Sequence, residues 1–81
     1  MDITDAELRE ILERSLRATT GPWKSFVEGR DHTSGSNFIQ TGGNDFELSG
    51  ATVEDQDFIA SSKQDIPKLV SVVAALKGWS L

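Results

Sequence analysis

Ser36-Asn37-Phe38-Ile39-Gln40-Thr41-Gly42-Gly43-Asn44-Asp45-Phe46-Glu47-Leu48-Ser49 is the stretch that decides the fold class. Two short segments flank a Gly-Gly-Asn connection, and the second alternates strictly, with Phe46 and Leu48 on one face and Asp45, Glu47 and Ser49 on the other. Paired glycines suit the positive φ values that a tight hairpin uses. Strands are therefore expected over 36–41 and 45–49. Upstream, Lys24 to Glu28 reads as a further strand, separated from the hairpin by the polar loop Gly29-Arg30-Asp31-His32-Thr33-Ser34-Gly35. Six of the seven glycines lie between Gly21 and Gly50, which confines the turns to this middle third.

Helical signals bracket that region. Thr4 is placed as an N-cap, with Glu7 three residues on as its capping-box partner and Ile3 and Leu8 spaced for a hydrophobic staple. Leu8, Ile11, Leu12, Ser15 and Leu16 then form one stripe, Glu10/Arg14 and Glu13/Arg17 are oriented as i,i+4 pairs, and Gly21-Pro22 ends the element. On the far side, Thr52 with Asp55 can open a helix over 53–62, with Phe58 and Ile59 as its narrow apolar side. Asp65-Ile66-Pro67 reads as the start of another helix, whose stripe Ile66, Leu69, Val70, Val73 and Leu76 is expected to face the core and whose end falls at Gly78. The expected fold class is α+β: a single small two-layer domain over 1–81, with a three-stranded antiparallel sheet packed by helices in the order α-β-β-β-α-α.

Composition narrows the chemistry. The 81 residues include 13 acids, 8 bases, one histidine and no cysteine. Thiolate metal sites, disulfides and cysteine nucleophiles are thereby excluded. A formal net charge of −5 disfavours nucleic acid as a partner, since phosphate binding draws on accumulated Lys and Arg. The acidic N-terminus and an apolar run of only eight residues (69–76) lead to a cytoplasmic protein without a targeting or membrane segment as the expectation.

The charge is not spread evenly. No Lys or Arg occurs between Arg30 and Lys63, and removing Asp45, Glu47, Glu54, Asp55 and Asp57 leaves acids and bases equal. These five carboxylates are either a solvated face with acids at a helix start or a recognition surface for a basic protein partner. Arg30, Asp31, His32 and Ser34 form either a polar turn or a binding loop. As catalytic groups they are poorly placed, because adjacent residues on a loop cannot supply a nucleophile, an oriented base and an oxyanion hole together. One Asp-His pair is also short of a metal site. Trp79 is an interface anchor if it does not fold back on its own helix. No catalytic residue, metal or cofactor is expected.

Two segments carry a family resemblance: Ala18-Thr19-Thr20-Gly21-Pro22-Trp23, and Asp57-Phe58-Ile59-Ala60 followed by Gln64-Asp65-Ile66-Pro67-Lys68-Leu69. Together they resemble uncharacterised accessory proteins of bacteriophages, prophages and bacteria that have a T-P-G-P-W-like element and a D-x-x-F-I-A segment ahead of D-V-P-x-L-L. Thr20 stands where those proteins often have proline, and Ile66 where they often have valine. The resemblance implies a mobile-element setting and transfers no active-site residue. With size and acidity it gives the functional expectation: a small partner-binding protein, an inhibitor or immunity-type protein neutralising a toxin or host defence factor. The alternative is a self-associating accessory module, a homodimer through a sheet edge or the Trp79 region.

Overall fold

A computed structural model of the chain describes residues 3–31 and 36–79. Its fold is α+β, with helix α1 (Asp5–Arg17), strands β1 (Lys24–Phe26), β2 (Phe38–Gln40) and β3 (Phe46–Glu47), and helix α2 (Val53–Leu76). Thr4 caps α1: its backbone is extended and its Oγ1 accepts the Glu7 N–H at 3.1 Å. The hydroxyl then donates to the Glu7 carboxylate at 3.1 Å, so Glu7 closes the cap through the threonine side chain. Ile3 packs on the cluster built around Leu8, as a hydrophobic staple does.

The three strands form one antiparallel sheet in the order β1-β2-β3, with Ser25 opposite Ile39 and Ile39 opposite Phe46. They are shorter than the alternation suggested because side chains take main-chain donors that a longer ladder would use. The Val27 N–H goes to the Asp31 carboxylate and the Glu28 N–H to the Asn37 side-chain oxygen, both at 2.8 Å. After β2, the Thr41 hydroxyl accepts from Gly43 N–H (3.0 Å) and donates to the Asn44 carbonyl (2.9 Å), which turns the chain. Stacked Phe26 and Phe38 cross the β1/β2 pair, and Trp23 meets Phe46 edge-on, each at 5.1 Å between centroids.

The hairpin glycines serve a different purpose from the one expected. Positive φ occurs at Gly29, Gly50 and Gly78, whereas Gly42 is needed for close approach. Its N–H donates to the Thr20 carbonyl at 2.6 Å, and a Cβ at Gly42 would lie 2.6 Å from that same oxygen.

The two helices expected for 53–62 and from 66 onward are one, so the order is α-β-β-β-α. Thr52 caps all 24 residues with a complete capping box: Thr52 Oγ1 accepts from Asp55 N–H (3.0 Å) and the Asp55 carboxylate accepts from Thr52 N–H (3.1 Å). Pro67 lies inside the helix, where its missing N–H forgoes the one bond that would reach the Lys63 carbonyl. Side chains just ahead of Pro67 hold the helix to its neighbours. Lys63 Nζ donates to the Ser15 carbonyl, and the Gln64 amide accepts from Trp23 N–H (2.7 Å) and donates to Trp23 O (3.1 Å), as a facing strand would.

α2 is consequently the spine of a molecule extending 47 × 24 × 19 Å. Its first half lies on the sheet through buried Gln56 and Ala60, and its second half on α1 through Val70 and Ala74, which cluster with Leu8. Among the described residues, α1 and the strands do not meet. Gln56 is the joint between helix and sheet: at 2% exposure it donates to Ser25 Oγ (2.8 Å) and to the Phe26 and Phe38 carbonyls (3.0 Å each). The helix ends as the sequence indicated, with Gly78 at φ +81° and Trp79 N–H returning to the Ala74 carbonyl at 2.8 Å.

Candidate functional site

Two of the five carboxylates expected to form an acidic surface are engaged within the fold. Asp55 is a helix cap, and Asp57 forms a two-pronged ion pair with Arg30, Nη1 to Oδ2 at 2.8 Å and Nη2 to Oδ1 at 3.0 Å. Arg30 Nε also reaches Asp31 Oδ2 (3.0 Å), which accepts the Val27 N–H. Loop residues Arg30 and Asp31 thus fasten the end of β1 to the start of α2. Of the other loop candidates, His32 and Ser34 lie outside the described residues. Asp45, Glu47 and Glu54 remain exposed, and among the described residues they make no ion pair.

The pairing sets the electrostatics. Hydrogen bonds from Arg30, then from the Ser25 hydroxyl, hold Asp57 below the ordinary carboxylate value of 3.8. Asp31 is lowered first by the Val27 N–H and then by Arg30. For a carboxylate lowered by folding, the contribution to stability is full above the unfolded value and disappears as pH falls through the folded one. We expect Asp57→Asn to lessen the drop in urea midpoint between neutral pH and about pH 2, with the larger loss relative to wild type at neutral pH; equal losses at both pH values would contradict this. The effect is small because both partners are substantially solvated.

Trp79 does not act as a free anchor. It packs against the Leu8, Val70 and Ala74 cluster, with the Arg9 guanidinium 4.6 Å above its ring. Nearby, Lys77 Nζ reaches Asp5 Oδ1 and the Ile3 carbonyl, both at 3.1 Å, and ties the last turn of α2 to the first of α1.

The surface that stands out instead is apolar. Phe58, Leu69, Val72 and Leu76 on α2 are 74%, 61%, 58% and 82% exposed. Leu69 and Leu76, expected in the core, lie outside it: only Ile66, Val70 and Val73 of that stripe turn toward α1. At 3.6 residues per turn the exposed row lies nearly opposite Gln56, Ala60, Val70 and Ala74. Beside it, a groove of about 390 Å³ opens between the helices, walled by Ile11 and Ala18 of the α1 side and by Trp23, Phe58, Ile59 and Ile66. The chain matches no family model, no curated protein and no solved structure. Among the described residues no cluster of His, Asp and Glu is suited to hold a metal ion, and no helix is long and apolar enough to cross a membrane.

The row was legible in principle. Phe58, Ser62, Asp65, Leu69, Val72 and Leu76 alternate spacings of four and three, the spacing of a coiled-coil seam, with polar Ser62 and Asp65 at two of its six positions. The supposed break at Asp65-Ile66-Pro67 hid it by cutting the helix in two.

Proposed function

We propose that this chain is a non-catalytic protein-binding module that works through the exposed apolar face of α2. One observation carries this: Leu69, Val72 and Leu76, each more than half exposed, adjoin on a well-capped helix, with exposed Phe58 in line with them beyond Ser62 and Asp65. Contiguous apolar surface rimmed by polar residues marks interaction sites, whereas scattered exposed leucines do not. An amphipathic helix or a facing groove is the usual complement of such a row. In the phage or prophage setting that the two sequence segments suggest, such a module fits an inhibitor or immunity-type role.

A second reading keeps the acidic surface, reduced to Asp45, Glu47 and Glu54, as the contact for a basic protein. A photo-cross-linking residue placed at Val72 or at Glu47 of the full chain, in the cell that makes it, separates the two. We expect a specific protein adduct from position 72 and none from 47. Adducts from 47 alone would move the binding surface to the acids, and adducts from neither would remove the binding-module proposal.

A further inference from the structure

We infer that the occupant of the α2 face is a second copy of the chain, paired antiparallel along the same row of α2. This rests on the proposal that the face binds protein, and it names the partner. The row repeats with alternating spacings of four and three from Phe58 to Leu76, a length of about 27 Å. Its spacing reads the same in both directions and a large apolar residue stands at each end (Phe58, Leu76), whereas the inner positions differ: Ser62 mirrors Val72 and Asp65 mirrors Leu69. A two-fold axis at the level of residue 67 therefore sets Phe58 against the partner's Leu76, Ser62 against the partner's Val72 and Asp65 against the partner's Leu69. The two bulky ends meet each other's opposite ends.

Charge selects this arrangement over the parallel one. Lys68 lies on the same flank of the helix as Asp65, and the antiparallel axis brings the Asp65 carboxylate level with the partner's Lys68 to within about one residue rise, about 1.5 Å. Symmetry makes the contact twice. Asp65 and Lys68 are otherwise uncommitted, since neither forms an ion pair among the described residues. A parallel pair would instead bury Asp65 against its own copy in the seam, where like charge is unfavourable. Pro67 does not interfere, because it lies on the side of α2 opposite the row.

Sedimentation equilibrium of the full chain over a concentration series gives the first test. The expected result is a mass that rises to twice that of the monomer. Leu69→Glu and Val72→Glu should each remain monomeric with unchanged helical circular dichroism, since both positions are exposed. Asp65→Lys should weaken the dimer by about tenfold, and Asp65→Lys combined with Lys68→Asp should restore it. The chain has no cysteine, so orientation can be read from installed ones. Phe58→Cys chains mixed with Leu76→Cys chains should oxidise to a mixed dimer, and neither alone should cross-link efficiently.

A strict monomer at every concentration overturns the inference, as does a dimer in which Phe58→Cys links readily to itself. The two failures remain distinct from failure of the binding surface itself. A monomeric chain whose position 72 cross-links in the cell to a different protein refutes self-pairing but keeps the face as a binding site, while a monomer without any adduct at 72 refutes both.

Discussion

Gln56→Ala should lower the stability of the domain by about 2–4 kcal/mol, the largest loss expected from any polar residue here. Gln56 is 2% exposed, and its amide supplies a donor to the Phe26 and Phe38 carbonyls and to Ser25 Oγ. Truncation leaves a void under the sheet and removes the donor from acceptors shielded from water, so the loss combines a cavity with unsatisfied polar groups. Gln56→Met separates the two, since it restores most of the volume without the donor. We expect Met to recover about half of the loss in urea denaturation. A Met variant as stable as wild type would show that the amide hydrogen bonds contribute nothing. Against a total stability of about 5 kcal/mol, ordinary for a domain of this size, the Ala variant retains only about 1–3 kcal/mol and stays mostly folded, with a clearly lowered urea midpoint.

Gly42→Ala should cost about 2–3 kcal/mol, although alanine is a modest change and the backbone there does not need positive φ. The added methyl would sit 2.6 Å from the Thr20 carbonyl oxygen, which is main chain and cannot rotate aside. Either the hairpin retreats and loses the Gly42 N–H bond to Thr20, or the 18–22 segment shifts and disturbs the packing of Trp23. Gly29→Ala and Gly50→Ala are the useful contrast. A Cβ at either meets nothing within 4 Å, and the only penalty is the φ of +82°, about 1 kcal/mol. Thermal midpoints in the order wild type, then Gly29→Ala and Gly50→Ala, then Gly42→Ala are expected, and a Gly42→Ala midpoint above the other two would contradict the close-approach account.

The caps and the hairpin could be read from the chain because they depend on neighbours in sequence. Thr4 with Glu7, Thr52 with Asp55, Gly78, and the alternation of Phe46 with Glu47 each act over a few residues and stand where they were expected. Pro67 misled for the same reason. Locally, Asp65-Ile66-Pro67 is a helix start, and what overrides it is tertiary: Lys63 held by Ser15 and Gln64 by Trp23, 48 and 41 residues away. The inner face of α2 was missed because it is marked by small and polar residues, Gln56, Ala60 and Ala74, while the more hydrophobic Phe58 and Leu76 point outward. Hydrophobicity alone adds Leu69 and Leu76 to a core that takes only Ile66, Val70 and Val73 of their stripe. The dispersal of the acidic cluster has a different cause. Sequence clustering brought five carboxylates together, but Arg30, 27 residues upstream, folds onto Asp57, and Asp55 turns back to its own helix cap.

The separation of α1 from the sheet has a thermodynamic consequence. A lesion at Leu8 is felt by Val70 and Ala74, and a lesion at Gln56 by Ser25, Phe26 and Phe38, so the two sites share no neighbour. Their effects on folding free energy should add, with a coupling of no more than about 0.5 kcal/mol in a Leu8→Ala, Gln56→Ala double-mutant cycle. Lys63 and Gln64, placed where the two territories meet, should break that additivity when either is combined with a change at one end. The domain then resembles two modest cores threaded on one rod, cooperative because they share a helix and not because they touch.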